Sequence, residues 1–257
     1  MQDRAVVAAL LGGDVVRASA GRDAQGKGLP GDWVTEVDLA SERAIREFFE
    51  RETPQIPMLG EEDGGSTGTG RYWVVDPLDG TTNFVHGFPV VAVSVALVED
   101  GRPVAGCVHA PFLGLTFAAT RGAGAWSIDP AGPTRMRVSD RPVERAIVAT
   151  GFPFRRKELL PRHLRMLHAA LDRFEDLRRP GAAALDLAWV AAGVFDGFFE
   201  LSLSPWDVAA GGLLVEEAGG QVTDWTGTTD YLPGTILAAN PAVHAELLTL
   251  AQNTATP

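Results

Sequence analysis

Asp76 and Asp79 stand three residues apart around Pro77, at the end of the apolar run Tyr72-Trp-Val-Val75, and Gly80-Thr81-Thr82 follows at once. An extended apolar run is rigid, and a Pro/Gly turn at its end aims side chains and backbone groups at a fixed point. Two carboxylates in such a turn suit a hard cation, which takes oxygen ligands. The Gly-Thr-Thr segment adds backbone N–H groups and hydroxyls suited to an anion. A cation and a phosphate held side by side is the simplest chemistry for this arrangement. Gly60-Glu-Glu-Asp63 lies just upstream, and composition alone does not choose among its three acids. Far downstream, Pro205-Trp206-Asp207 places a carboxylate at the start of a helical stretch. Two unit charges ~4 Å apart cost about 4 kcal/mol at an effective dielectric of 20, so four such acids share a pocket only if cations neutralise them. Plainer roles compete at each position. Asp207 alone is a helix N-cap worth about 1 kcal/mol, and Asp38 alone is another. Asp76 and Asp79 alone are turn formers. Spacing does not show that residue 207 meets residue 76.

The elements that must position these groups follow from periodicity. Ala5 to Ala18 has helical spacing, with an interruption expected near Gly12-Gly13, and Gly21 to Gly31, which contains Lys27, reads as a flexible loop. Leu39 to Arg51 is helical, with Ile45, Phe48 and Phe49 on one face. Val90 to Glu99, Arg102 to Ala110 and Leu115 to Ala119 are β-rich runs separated by turn residues, which predicts an antiparallel meander. Beyond residue 140 strands and helices alternate: Ala146 to Thr150, Leu159 to Phe174, Ala182 to Ala192, Phe195 to Glu200, Asp207 to Ala218, Gln221 to Trp225 and Thr235 to Ala239. Asn240-Pro241 then opens a last helix, Asn at N-cap and Pro at N1. One domain over 1–257 is expected, an α+β half (1–140) joined to an α/β half (141–257) without a long linker.

Bulk properties narrow the function. With 257 residues, 46% hydrophobic and 21% charged, the composition is that of a globular protein with a sizeable core. No apolar run reaches the roughly 18 residues of a membrane span, and Met1-Gln-Asp-Arg lacks the layout of a signal peptide. A cytoplasmic protein with no membrane partner is expected. The net charge of −11 leaves only two short basic clusters, Arg155-Arg156-Lys157 and Arg178-Arg179, so no nucleic-acid partner is expected. The single cysteine, Cys107, excludes an internal disulfide and thiolate zinc sites and reads as a core residue. The five histidines show no metal-ligand spacing, and His86, inside the acidic turn segment, reads as structural.

The string WVVDPLDGTTNFVHGFP (73–89) resembles the first signature of the inositol monophosphatase family, PWDVAAGGLLVEEAGG (205–220) resembles its second, and GEED (60–63) its upstream glutamate motif. The three occur in family order, and the resemblance runs from about Val34 to about Ala239. It implies a layered αβαβα sandwich of the inositol monophosphatase and fructose-1,6-bisphosphatase type, a homodimer, two to three Mg²⁺ ions and inhibition by lithium. It implies direct attack of an activated water on phosphorus, without a phospho-enzyme. Residue by residue, the resemblance assigns Glu61, Asp76, the Leu78 carbonyl, Asp79 and Asp207 as metal ligands. Thr81 and Asp38 become the pair that orients and deprotonates the water, with Asp79 in the catalytic set. The backbone N–H groups of Gly80 and Thr81 hold the phosphate, and Lys27 stands in a loop beside the third metal. Oxygen ligands without His or Cys fit Mg²⁺ independently.

The same resemblance outlines a substrate pocket. Glu61, Leu78, Asp79, Gly80, Thr81 and Asp207 would border it at the phosphate end. Glu200, seven residues before Asp207, holds the place of a glutamate that binds ring hydroxyls in inositol-selective members. Gly181, Ala182 and Ala183 match the family's Gly-(Ser/Thr)-Ala-Ala segment, with Ala182 replacing the hydroxyl residue and removing one polar contact. Arg178 and Arg179 are placed to reach a substrate or a dimer partner or to stand in solvent, with the solvated or interfacial reading preferred. The expected activity is Mg²⁺-dependent hydrolysis of inositol 1-phosphate. The same chemistry on histidinol phosphate, fructose 1,6-bisphosphate or a 3′-phosphonucleotide is the alternative. A non-catalytic binding protein that retains the fold is the alternative of another class.

Overall fold

The chain is described from a computed structural model, which covers residues 1–19, 24–26, 33–67 and 70–254. Lys27 lies outside the described residues. An antiparallel ribbon, β1 (Ala24–Gly26) with β2 (Trp33–Thr35), leads into the body of the protein. The first large sheet orders β3 (Met58–Gly60), β4 (Arg71–Asp79), β5 (Ala92–Glu99), β6 (Arg102–Ala110), β7 (Leu115–Thr120), β8 (Gly124–Asp129) and β9 (Gly132–Arg135) side by side in sequence order. Only β3 and β4 pair in parallel; the rest is the expected antiparallel meander. The second sheet contains β10 (Ile147–Thr150), β11 (Asp176–Arg178), β12 (Gly197–Glu200), β13 (Gln221–Thr223) and β14 (Ile236–Ala239), ordered β11-β10-β12-β14-β13.

Helices α1 (Gln2–Ala18) and α2 (Glu36–Glu52) cover the outer face of the first sheet. The short α3 (Thr81–Val85) follows β4, and α4 (Leu160–Arg173) packs outside the second sheet with α7 (Pro241–Asn253). Between the sheets lie α5 (Ala183–Ala191) and α6 (Pro205–Glu217), apolar nearly all round. The result is an αβαβα sandwich with three apolar clusters, one filling the middle between the two sheets around α5 and α6 and one on the outer face of each sheet. Because both faces of the first sheet are covered, β5 reads Ala-Val-Ser-Val-Ala-Leu-Val and is buried along that whole stretch.

Three expectations change. Helix α1 is not interrupted at Gly12-Gly13, because those glycines are contact points. A Cβ on Gly12 would stand 2.7 Å from Ser41 Oγ, and one on Gly13 2.3 Å from His109 Cδ2. Helix α2 begins at Glu36, so Asp38 lies in its first turn, not at the N-cap. Helix α6 begins at Pro205 with Ser204 as N-cap, and Asp207 accepts from the Ser204 N–H at 2.6 Å from the third helical position. Strands β8, β9 and β11 are additions to the sequence reading. Strands β9 and β11 are sheet edges, with β8 beside β9, and β8 and β9 carry the glycines, proline and charges that blur a two-residue period.

Candidate active site

Strand β4 continues through both acids, and its register with β5 slips between Asp76, opposite Ser94, and Asp79, opposite Ala92. Pro77 cannot donate to the ladder, so the strand bulges there. Asp76 Oδ1 accepts from the Leu78 N–H at 2.9 Å, which closes a local turn, and Ser41 Oγ on α2 donates to the Pro77 carbonyl at 2.9 Å. Gly80 then takes φ 89°, a left-handed conformation that suits glycine and starts α3. Its missing Cβ also spares the Val90 carbonyl, 3.0 Å from where that atom would sit. The turn is thus built by a bulge, an Asp-capped turn and a glycine.

Distant segments are bonded to this turn. Ser94 Oγ on β5 donates to the Trp206 carbonyl at 2.9 Å, holding the first turn of α6 against the sheet. Asp79 Oδ2 accepts from the Ala184 N–H at 2.7 Å, at the start of α5. Asn83 Nδ2 reaches the carbonyls of Val90 at 2.7 Å and Pro180 at 3.0 Å, tying α3 to the segment before α5. In consequence the ligand oxygens of Asp76, Asp79 and Asp207 lie within 4.8 Å of one another. Asp76 and Asp79 are buried, and Asp207 is partly buried. Residues 76 and 207 therefore do meet.

The electrostatics of this cluster are unfavourable by themselves. Burial, then the charges of Glu61, Asp79 and Asp207, push the Asp76 carboxyl well above the usual range. Burial and then Asp207 push Asp79 up to about 7. Burial also raises Asp207, although the Ser204 N–H and Asp76 moderate the rise. A pair of charges at such a separation costs roughly 3–4 kcal/mol at an effective dielectric of 20. All donors are oxygens, three of them carboxylates, which is a set that fits a hard divalent cation.

The Gly60–Asp63 loop stands beside the cluster, held by the Glu61 N–H on the Val75 carbonyl at 3.2 Å. Its anchor is Glu42 of α2, fully buried, which accepts from the N–H groups of Glu62 at 2.9 Å and Asp63 at 3.2 Å and from Arg46 at 2.6 Å. Gly60 is required at this contact, because a Cβ there would lie 2.3 Å from the Glu42 carboxylate. The next two N–H groups, of Glu62 and Asp63, turn toward Glu42, while Glu61 lines the cavity with Asp76, Asp79 and Asp207. On the other side of the turn, Thr81 Oγ1 lies 3.0 Å from Asp38 Oδ1 and 3.0 Å from the Leu78 carbonyl. Asp38 itself is buried.

A cavity of about 560 Å³ opens over these groups. Leu78, Gly80, Thr81, Gly181, Ala182 and Ala183 border it with the acids, and Glu200 enters from the end of β12. Burial first, then Asp207, raises the Glu200 carboxyl to about 8, with Arg179 opposing. Arg178 pairs at the surface with Asp176 at 2.5 Å. Arg179 departs from the expectation of a solvated or interfacial side chain. It lines the cavity, its guanidinium 5.6 Å from the Phe152 ring and 5.5 Å from that of Phe154. Cys107 is buried with its thiol pushed up by desolvation, and His86 is exposed at the end of α3.

Sequence reasoning missed Glu42, Asn83, Asp186 and the Phe152–Phe154 segment. For Glu42 a signal was present. Asp38, Ser41, Glu42 and Ile45 recur at i, i+3, i+4 and i+7, so three polar residues occupy the buried stripe of α2. Buried polar groups require partners, and the partners here are the site's own loops.

A sequence model of the inositol monophosphatase family matches residues 3–256. The chain belongs to the inositol monophosphatase family. Nus factor SuhB of Escherichia coli (strain K12) is 45% identical over 221 residues, spanning 84% of this chain and 81% of that protein. The crystal structure of extragenic suppressor protein suhB from Bartonella henselae superposes with TM-score 0.90 at 38% identity, covering 97% of each chain. Inositol monophosphatase from Anabaena (Nostoc) sp. PCC 7120 gives TM-score 0.88 at 35% identity, covering 98% of this chain and 95% of that one. These inositol monophosphatase-fold relatives share the layered architecture. Among the described residues, no helix is long and apolar enough to cross a membrane.

Proposed function

We propose that this protein is a Mg²⁺-dependent phosphomonoesterase acting on inositol 1-phosphate, with Asp76, Asp79, Asp207, Glu61 and the Leu78 carbonyl holding two to three ions. The observation that carries the reading is the buried, uncompensated cluster of Asp76, Asp79 and Asp207 at the mouth of a cavity sized for a small ester. Mg²⁺ bound there would supply charge to the phosphoryl oxygens and acidify a water. The first N–H groups of α3, which no carbonyl of that helix can satisfy, support a phosphate site at Gly80 and Thr81. With its hydrogen donated to Asp38, the Thr81 hydroxyl keeps lone pairs free to accept a proton from the attacking water. As it does so, its own hydrogen would pass to the Asp38 carboxylate, which takes up the proton.

Glu200 supports a polyol as the leaving group, because its carboxylate faces the same cavity. The net charge of −11 supports a small ester over a nucleic acid as partner, although the 45%-identical relative is called a Nus factor. A complete acid set joined to the Thr81–Asp38 contact favours catalysis over a fold retained only for binding. Phosphate release from inositol 1-phosphate, histidinol phosphate, fructose 1,6-bisphosphate and a 3′-phosphonucleotide, with Mg²⁺, tests the reading. The expected result is preference for the inositol ester and a fall in turnover of about 100-fold or more in Thr81→Val. Equal turnover by Thr81→Val refutes the mechanism, and preference for histidinol phosphate refutes the substrate.

A further inference from the structure

A second acidic pair, Asp186 and Glu200, lines the cavity outside the Asp76, Asp79 and Asp207 cluster that could hold a metal. Asp186 sits on the first turn of α5, its N–H donated to the Ala182 carbonyl at 2.9 Å, and it is 1% exposed. Its side chain lines the cavity, and its Oδ1 has no hydrogen-bond partner. A buried polar atom without a partner costs about 1–3 kcal/mol, more when charged, and native proteins retain few of them. Glu200 lines the same cavity, packed so closely on Gly151 that a Cβ there would lie 2.1 Å from Glu200 Oε2. The charges of Asp79 and then Glu200 act on Asp186, those of Asp207 and Asp79 act on Glu200, and Arg179 opposes them at both.

Those neighbours decide what can satisfy Asp186. A divalent cation needs more than two side-chain ligands, and once cations neutralise the Asp76, Asp79 and Asp207 cluster, those cations and the Arg179 guanidinium would together oppose a further positive charge, an ammonium included. Neutral O–H donors meet no such opposition, and carboxylates accept them strongly. We infer that Asp186 is a specificity-determining residue that works with Glu200 as a two-carboxylate clamp for hydroxyl groups on the part of the substrate remote from the phosphate. The ligand class is a phosphate ester of a polyol. This rests on the phosphomonoesterase reading.

The test compares wild type, Asp186→Asn and Asp186→Leu with Mg²⁺ on inositol 1-phosphate, cyclohexyl phosphate, which has the ring without the hydroxyls, and an aminoalkyl phosphate. The ratio of kcat/KM for the inositol ester to that for cyclohexyl phosphate should fall roughly 10- to 100-fold in Asp186→Leu, the worth of a charge-assisted hydrogen bond. Asp186→Asn, which keeps one acceptor, should fall between. Both variants should melt at or above the wild-type temperature without metal, because an unpartnered buried carboxylate is gone. An unchanged ratio overturns the clamp, as does a larger loss on the aminoalkyl ester. A drop in melting temperature with equal losses on all esters shows a structural residue instead. If wild type hydrolyses cyclohexyl phosphate but the ratio does not move, the clamp fails alone; if wild type hydrolyses none, the parent reading fails with it.

Discussion

Replacing Glu42 should damage metal binding from a distance. Its carboxylate is fully buried and accepts from the backbone of Glu62 and Asp63 and from Arg46, whose side chain is 25% exposed. In Glu42→Ala two loop N–H groups lose their acceptor, and Arg46 loses its ion-pair partner. Breaking a buried ion pair costs about 3–5 kcal/mol, and the partial exposure of Arg46 places this case near the lower end, since water can reach the guanidinium. A chain of this size shifts by roughly 2–4 °C per kcal/mol, so the melting temperature should fall by about 6–12 °C. Glu42→Gln keeps one carbonyl acceptor and sets an amide N–H₂ against the other N–H, so its loss should be intermediate. Glu61 directly precedes the two anchored positions; its own N–H keeps the Val75 carbonyl, but the loop behind its side chain is released. Residues that orient metal ligands are worth about 10- to 100-fold in affinity, so the Mg²⁺ concentration for half-maximal activity should rise by about that factor. Thermal melts and Mg²⁺ titrations of phosphate release measure both quantities. Melting within about 2 °C of wild type would show that the Glu42 contacts contribute nothing. A large drop in melting temperature with an unchanged Mg²⁺ requirement would refute the link from Glu42 to Glu61.

Two further substitutions separate stability from function. Asp79→Asn should abolish Mg²⁺-dependent turnover by orders of magnitude while raising the metal-free melting temperature. The amide oxygen still accepts from Ala184, and one member of the repelling trio is neutral; a lower metal-free melt would show that the repulsion is unimportant. His163, buried among Phe152 and Phe199 with neither ring nitrogen hydrogen-bonded, has its pKa pushed by desolvation from near 6.5 to about 4. The folded state then binds fewer protons than the unfolded one between those values, so stability falls as pH drops from about 6.5 to 4, by about 3 kcal/mol. His163→Leu should remove that part of the acid sensitivity in urea titrations at neutral and acid pH, and parallel losses in both proteins would contradict it.

What could be read from sequence depended on whether a residue's role was local. The Asp76–Thr82 turn declares itself because proline, glycine and two acids within seven residues leave few other conformations. The Asn240-Pro241 cap is equally local, and Asn240 does accept from the Val243 N–H at 3.0 Å. The meeting of Asp76 with Asp207 was legible only through family resemblance, since the bonds that create it join partners such as Ser94 and Trp206, 112 positions apart. Gly12 and Gly13 show the converse error. Glycine is a helix breaker by propensity, yet here it admits Ser41 and His109, and tertiary contact overrides the local cost of about 1 kcal/mol per residue. Asp186 escaped notice because it sits in Ala-Ala-Leu-Asp-Leu-Ala, a stretch whose apolar character says only that the helix is buried.

The cavity is electrostatically divided, and the division implies an orientation for the substrate. At one end Asp76, Asp79 and Asp207 repel one another, with Glu61 acting on Asp76, and the arrangement is relieved only by mobile cations, which a phosphate then accompanies. At the other end Arg179 is fixed against Phe152 and Phe154, within electrostatic reach of both Asp186 and Glu200. Once cations neutralise Asp79 and Asp207, that fixed charge would oppose a further cation at the second pair and leave it to neutral donors. Under the proposed reading an ester would enter in one sense, phosphorus toward the Asp76 turn and hydroxyls toward Asp186 and Glu200. Gly181 joins the two ends: at φ 95°, a Cβ on it would lie 2.3 Å from Arg179 Nη1. A side chain at position 181 would displace the guanidinium, so under the proposed reading Gly181→Ala alters which esters are accepted before it alters how phosphate is held.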